Sequence, residues 1–586
     1  MDLLLISPPV ANFGQATAGI SVLTADLRHR GWDAQQWDLA IDAFHHFHSP
    51  EHLARCQRTV EEHGCDARVS ELATHVVAHI EEAKAALRVP GVERDHDAMR
   101  DAFQTISDAG VLLTAASRGR YEHSFRHFTV KDAFRDYDGM QAALGDQGQN
   151  PYLEYFEQVV LPRIERDRPR AVGISFTYFS QLVPGFTLLR LLRDRFGELP
   201  LVIGGAYLTA VHDDVPRIRR DVVPADAIVV HDGEGALDAW LGATLEGRGA
   251  PELDNLLLPG ARGFVPSGTT PGGQTDLDSL PVPMWTPDGL DLSRYLVPRY
   301  PIPLPLSRGC YWGRCNYCNI SAQASSSYRT RSVELAIRDM RALVEETGST
   351  WFDFPVDSFR PRELWELSKA IVAEGLEVEW GAEVLLDGGF RDEVLEDMAR
   401  SGCRCLRFGM ESANKRVLEA MNKPNRPKET ERILTTCTRL GIQTAVMCIA
   451  GYPTETQGDL WETFDYLVEH KDVIDFVTIH QYSLVPGSRM AADPAAFGLM
   501  KLPQAAVLWS SLPFANTNPV GMRSEDLPRV IRAMREGLKE HYPDIDEMWT
   551  VAIGGWMTFP ACCRERQAPN PGGGEDVGAG EAAAPA

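Results

Sequence analysis

The chain has 586 residues, 44% of them hydrophobic and 24% charged, with a formal net charge of −24. The length allows roughly two to four domains with large cores, and the composition is that of an ordinary globular protein. The acidic balance argues against broad non-specific binding to nucleic acid or anionic membrane, and no stretch approaches the roughly 20 apolar residues of a spanning helix.

The chain starts Met1-Asp2-Leu3-Leu4-Leu5-Ile6. It lacks a basic region, and its apolar run is too short for a signal peptide, so a cytoplasmic location is expected. Residues 2–9 read as a buried strand entering a Pro-Pro turn. A helix over 19–30 and a second strand over 34–39 follow, the opening of a parallel α/β layer. From about 50 to 146 the period is helical, which predicts an insertion. The α/β pattern returns at 171–176, 200–205 and 227–230, the last running into His231-Asp232-Gly233-Glu234-Gly235. An open sheet of this kind presents a ligand crevice at the carboxyl ends of its strands.

The stretch 266–300 reads as a linker, with Pro and Gly concentrated over 266–283. A second series of βα units follows over 301–490, with strand candidates at 304–307, 351–355, 377–380, 405–408, 444–449 and 476–481. Repeats of this length predict a full or partial parallel barrel with chemistry in the loops at one rim. Residues 491–565 are expected to be helical. The tail over 566–586 is rich in Pro, Gly, Ala and Glu and is expected to be disordered.

The chemistry-bearing segment is Cys310-Tyr311-Trp312-Gly313-Arg314-Cys315-Asn316-Tyr317-Cys318. Three thiolates within nine residues at a strand end can converge on one metal centre. Zinc ribbons usually present two Cys pairs, and no second C-x2-C is present. Plant-type ferredoxins share the C-x4-C-x2-C spacing but need a fourth cysteine, and none occurs from Asn319 to Gly402. Three ligands for a four-iron cluster leave one iron open to a small molecule. The other cysteines are uneven in spacing; Cys403 and Cys405 read as core thiols, and Cys562-Cys563 carries no metal spacing. His45, His46 and His48 read as solvated or packing groups.

These cysteines resemble the motif of the radical S-adenosylmethionine superfamily, usually C-x3-C-x2-C with an aromatic before the last cysteine, here Tyr317; this chain has one extra residue between the first two. Asp357-Ser358-Phe359 stands where the family contacts the amino group of S-adenosylmethionine, with Ser358 where many relatives have an acid. Gly409-Met410-Glu411-Ser412 resembles the G-x-E-S segment near the ribose and amino acid. Gly451-Tyr452-Pro453-Thr454-Glu455-Thr456 and Pro486-Gly487-Ser488 resemble the turns after the fifth and sixth strands.

Residues 1–265 resemble the Rossmann-like cobalamin-binding domain often fused ahead of this barrel, through Ser7-Pro8-Pro9, Ser175, Gly204-Gly205 and Gly233-Glu234-Gly235. The resemblance implies an α/β protein: a cobalamin-binding domain with a helical insertion, then a partial (β/α)6 radical S-adenosylmethionine barrel. The implied metal ligands are Cys310, Cys315 and Cys318. Tyr317, Asp357, Ser358, Glu411, Ser412, Gly451 and Pro453 are the implied contacts of S-adenosylmethionine.

The D-x-H-x-x-G cobalt-ligand motif is absent, and the first loop holds no imidazole. Any bound cobalamin is therefore expected to lack a protein histidine on cobalt. The implied cofactors are a 4Fe-4S cluster, S-adenosylmethionine and methylcobalamin, with flavodoxin or ferredoxin as electron donor. The implied reaction is radical methyl transfer to an unactivated centre of a secondary metabolite or modified peptide. The alternative is a cyclisation or rearrangement without methyl transfer. The implied substrate is a small molecule or peptide, with no nucleic acid or membrane as partner.

Overall fold

The computed structural model describes residues 1–542 except 65, 93–94, 126, 287–289, 324–326, 356–357, 504–506 and 509–510. Strands β1 (Leu3–Ser7) and β2 (Ala34–Asp38) pair in parallel. Every residue of β1 is buried, as a strand covered on both faces requires. The chain then leaves the sheet for a mainly helical stretch with the helices Leu39–Phe47, Pro50–Glu62, Ala67–Ala86 and His96–Ala116. Ser49 caps the second of these with its hydroxyl, and Pro50 stands at its first turn. A small hairpin, β3 (Tyr121–His123) and β4 (Phe128–Val130), closes against these helices. His48 is buried there and His45 bonds the Arg294 carbonyl, so both pack within the protein.

Strands β5 (Ala171–Ser175), β6 (Leu201–Gly204) and β7 (Ala227–Val229) extend the parallel sheet, and β8 (Leu256–Pro259) and β9 (Phe264–Pro266) add an antiparallel edge. The order is β2-β1-β5-β6-β7-β8-β9, so chain direction diverges between β1 and β5. The loops leaving these two strands separate there and open a crevice.

The segment 266–300 lies across the rest of the protein, with Trp285 and Tyr295 fully buried. The second sheet is parallel throughout, in the order β10 (Ile302–Pro303), β13 (Trp351–Phe354), β14 (Glu379–Leu385), β15 (Cys403–Glu411), β16 (Gln443–Ala450) and β17 (Phe476–Gln481). Between its first two strands stands a separate antiparallel pair, β11 (Ser307–Arg308) with β12 (Arg329–Thr330). The strand expected at 304–307 is therefore divided. Pro303 and Pro305 lack the N–H that would continue a ladder, so the chain leaves one sheet at Pro303 and enters another pair at Ser307.

The expectation of a helical segment from 491 needs correction over the described part. Short helical turns over Arg489–Ala492 and Pro494–Phe497 give way to a hairpin, β18 (Leu499–Lys501) with β19 (Phe514–Asn516), and the one long helix there is Leu527–Leu538. Pro494, Pro503, Pro513 and Pro519 remove donors and break any longer helix. The tail from 543 and the Cys562-Cys563 pair lie outside the described residues. The main hydrophobic core, from Leu4 and Ile6 to Phe352, Phe408 and Met534, runs through both sheets, and a second cluster around Leu3, Leu5 and Trp240 covers the other face of the first.

Candidate functional site

A cavity of about 670 Å³ opens where the carboxyl ends of β1, β5, β6 and β7 face the interior of the second sheet. Where the strands of the N-terminal sheet end, its wall includes the small, neutral Ala16, Gly19, Gly173, Ser175, Gly204 and Gly205 beside larger apolar side chains such as Ile174 and Ile203. Gly205 sits at φ +106°, and an added Cβ would lie 2.3 Å from the Phe176 carbonyl oxygen, so only glycine fits. Gly233 and Glu234 also line the cavity. Ser7, Pro8 and Pro9 are buried and are not among its lining residues. Instead the Gln181 amide donates to the Pro8 carbonyl (2.6 Å), and the loop returns at Gln15–Gly19 to form the wall. Gly235 is exposed and outside the lining.

The opposite wall is charged. Asp353, Glu383 and Arg407, from three adjacent strands, point into the cavity with Met447 and His480. The Arg407 Nη2 donates to Asp353 (2.8 Å), and its Nε lies 3.4 Å from Glu383. Gln15, reaching over from the N-terminal sheet, donates to the other Asp353 oxygen at 3.4 Å. Burial raises the Glu383 carboxyl above its ordinary value, with Arg407 pulling the other way. Sequence reasoning missed this set. Its one signal was a charge inside an otherwise apolar parallel strand, as in Trp351-Phe352-Asp353-Phe354.

At the rim, Glu234 does not offer a free carboxylate. Arg308 donates to both its oxygens, at 2.5 and 3.2 Å, and lies 3.0 Å from Asp232. Arg329 holds the other Asp232 oxygen at 2.5 Å. Burial pushes both carboxyls up, but the Arg308 charge overrides it and leaves both below their ordinary range.

Beyond Arg308 comes the cysteine loop. Cys310, Cys315 and Cys318 are free thiols of intermediate exposure. The Trp312 ring N–H donates to the Asn422 carbonyl and the Asn316 amide to the Ala420 carbonyl, both at 2.8 Å, which anchors the loop to the segment after β15. The Tyr317 hydroxyl donates to Glu411 (2.9 Å), which also takes the buried Lys423 ammonium at 2.6 Å. Cys310 pairs with Ser358 in an isolated bridge, and the Ser358 hydroxyl is buried with no partner among the described residues. Asp357 lies outside the described residues.

Other expected contacts have visible packing roles. The Ser412 hydroxyl bonds Thr463, and the Gly451 N–H donates to Glu455 at 2.6 Å. The Pro453 carbonyl accepts from Asn516. Burial pushes the Glu455 carboxyl up to about 8. Cys403 and Cys405 are buried, as core thiols are.

Among the described residues, no helix is long and apolar enough to cross a membrane. No group of three His, Cys, Asp or Glu side chains there is placed to hold a single metal ion.

Comparison with known proteins gives three kinds of match. Residues 304–467 match the radical SAM superfamily. An uncharacterized methyltransferase of Pyrococcus horikoshii is 27% identical over 333 residues, covering 56% of this chain and 70% of that protein. The cytidylyl-2-hydroxyethylphosphonate methyltransferase of Streptomyces wedmorensis is 24% identical over 404 residues, 61% and 73% of the two chains. In fold, the chain is similar to the radical S-adenosylmethionine methyltransferase TsrM from Kitasatospora setae, solved with cobalamin and a [4Fe-4S] cluster bound. That likeness has a TM-score of 0.54 and 17% identity, and covers 86% of this chain and 81% of that one. The same enzyme has been solved with tryptophan substrate and a SAM analog, at TM-score 0.55 and 16% identity, covering 85% and 78%. With the cysteine loop, the parallel strands behind it and the match over 304–467 in agreement, the chain carries a radical SAM domain over those residues and is an enzyme.

Proposed function

We propose that this chain is a cobalamin-dependent radical S-adenosylmethionine methyltransferase acting on an unactivated centre of a small molecule or modified peptide. One observation carries the reading. A single cavity is bounded by a small, neutral sheet-end wall and a charged barrel wall, and Arg308-Gly309 leads directly from it into the three-cysteine loop.

The residues fit the implied groups. Cys310, Cys315 and Cys318 would hold the cluster; burial raises the Cys315 thiol and pushes Cys318 up to about 12, so iron rather than solvent would keep them as thiolates. A cluster spreads its ligands over several irons and needs thiols further apart than one ion does. Tyr317, Glu411, Lys423 and the unpartnered Ser358 hydroxyl offer polar groups for S-adenosylmethionine, with Asp357 proposed beside them. Ser412, Gly451 and Pro453 would shape that site through the turns they brace. The glycine-lined wall leaves room for a flat corrin to approach the backbone. The first loop holds no imidazole, but His231 and His480 line the cavity. The reading of cobalt without a protein histidine rests on that first loop; His231 spends only its Nδ1, on the Gln323 carbonyl at 2.9 Å.

Bound, these cofactors supply radical generation and the methyl group. The chain's own residues position the substrate and exclude water. Asp353, Glu383 and Arg407 present fixed charges to the substrate, and Met447 and the glycine wall offer few polar hydrogens near it.

Anaerobic turnover with methyl-labelled S-adenosylmethionine and candidate metabolites tests the proposal. Label in the substrate is expected, with near-equal 5′-deoxyadenosine and S-adenosylhomocysteine. Rising 5′-deoxyadenosine alone, with label absent from the substrate, would replace methyl transfer by rearrangement.

A further inference from the structure

The loop after β7 touches the cysteine loop at both of its ends. On the near side, Arg308, two residues before Cys310, is held by Asp232 and Glu234. On the far side, His231 meets the carbonyl of Gln323, five residues after Cys318. The same loop is part of the cavity, since His231, Asp232, Gly233 and Glu234 all line it.

The charges make the grip specific. Arg308 and Arg329 stand directly opposite each other in the two-residue ladder of β11 and β12. Like charges in that position repel. The two carboxylates that neutralise them come from the other sheet, Asp232 sharing its oxygens between both arginines and Glu234 taking both Nη atoms of Arg308. Thr275 closes the set, its N–H on Asp232 (2.7 Å) and its hydroxyl on Glu234 (3.0 Å). Asp232 and Glu234 are nearly inaccessible, so neither can trade its arginine for water. The stem of the cysteine loop is therefore tied to the cavity wall by residues 74 to 97 positions away in the chain.

Resting on the cofactor reading above, we infer that this two-arginine, two-carboxylate clamp couples the two cofactor sites: filling the cysteine loop with its cluster tightens binding of cobalamin in the cavity. A ligand that orders one end of a shared element lowers the ordering cost left to the other, and the effect is reciprocal. Asp232 and Glu234 are thus positioning residues, with no contact to either cofactor required of them.

The test uses the full chain, anaerobically, with hydroxocobalamin as probe. Its affinity is measured by absorbance titration with and without a reconstituted cluster. The wild-type chain should bind about tenfold more tightly when cluster-loaded, within the usual range of coupling between sites. In Asp232→Asn/Glu234→Gln that ratio should fall towards one. The single change Glu234→Gln, which leaves Asp232 between both arginines, should give an intermediate ratio and serves if the double variant does not fold. Iron retention on dilution, with and without hydroxocobalamin, should show the same coupling from the other side. A wild-type chain that takes up both cofactors with no change in affinity overturns the coupling alone, as does an unchanged ratio in the variants. A wild-type chain that takes up neither overturns the functional reading and the coupling with it.

Discussion

The two walls of the cavity are opposites. On the N-terminal sheet, the wall is a glycine-lined patch among larger apolar side chains, and it selects by shape. On the second sheet, Asp353, Glu383 and Arg407 select by charge, and Lys423 and Glu411 repeat the theme nearer the cysteines. The contrast teaches that one fold class, the parallel sheet, can present either kind of surface. Only glycines let a large ligand reach the backbone, whereas charges inside a barrel must neutralise one another before a ligand arrives.

Removing the thiols on the charged side gives the largest expected effect. Cys310→Ala/Cys315→Ala/Cys318→Ala should take reconstituted iron from about four per chain to near none. The same protein should still take up hydroxocobalamin at saturating concentration, because the neutral wall is untouched. A full cluster in that variant would remove the basis for assigning these ligands.

Next comes Arg407→Met. It leaves the buried Asp353 without its counter-charge, and breaking a buried pair from one side costs about 3–5 kcal/mol. Denaturant unfolding should show that loss, and adding Asp353→Asn should recover part of it. Equal stability of the single variant and wild type would mean the charged wall is not a buried network.

On the neutral wall, Gly205→Ala should cost about 1–3 kcal/mol in backbone strain alone. Its Cβ would also meet the Phe176 carbonyl. Cobalamin uptake should fall while iron content stays at the wild-type level. Iron lost in step with cobalamin would erase the distinction between the walls.

A pH slope away from both walls comes last. Glu455 has its carboxyl raised from 4.5 to about 8 in the folded chain. The folded state thus holds a proton that the unfolded state releases. Stability from this group is complete below about pH 4.5 and is lost as pH rises towards about 8, by up to about 1.4 kcal/mol per pH unit. Glu455→Gln, which stays neutral, should flatten that decline in thermal unfolding between pH 5 and 8. An unchanged slope would assign the decline to other groups.

Much of the frame was legible in the residues. Leu3–Ser7 and Ala171–Ser175 are continuous apolar runs, and such runs in a βαβ series leave few alternatives to a parallel sheet. The three cysteines were legible because thiols so close together have few structural uses. Strand β14 was read short, as 377–380, because Gly381 and Glu383 interrupt the apolar pattern, yet they occupy its middle. The charged wall was hidden for a related reason. Alternation tells which residues share a face, but Asp353, Glu383 and Arg407 come from separate strands and meet only once the register is set. Ser7-Pro8-Pro9 misled in the opposite direction. A proline turn at a strand end suggests a ligand loop, while here Gln181 uses its polar groups and the wall comes from residues further on. The hairpin at Leu499–Asn516 was masked by apolar residues that fit either period.

One contact far from the cysteines constrains how the halves can part. Past the second sheet, the Val507 N–H donates to the Phe134 carbonyl, and the Leu508 carbonyl accepts from the Tyr207 hydroxyl beside the first sheet. Leu508 is fully buried. The polypeptide thus crosses from the first sheet to the second at 266–300 and is buckled back onto the first at 507–508. A chain fastened twice behaves like a closed belt rather than a door on one hinge. Cutting the chain between Gln481 and Val507 would leave the belt closed only by non-covalent contacts, such as those of the helix Leu527–Leu538 with β17, so a nick there should loosen the cavity without unfolding either half.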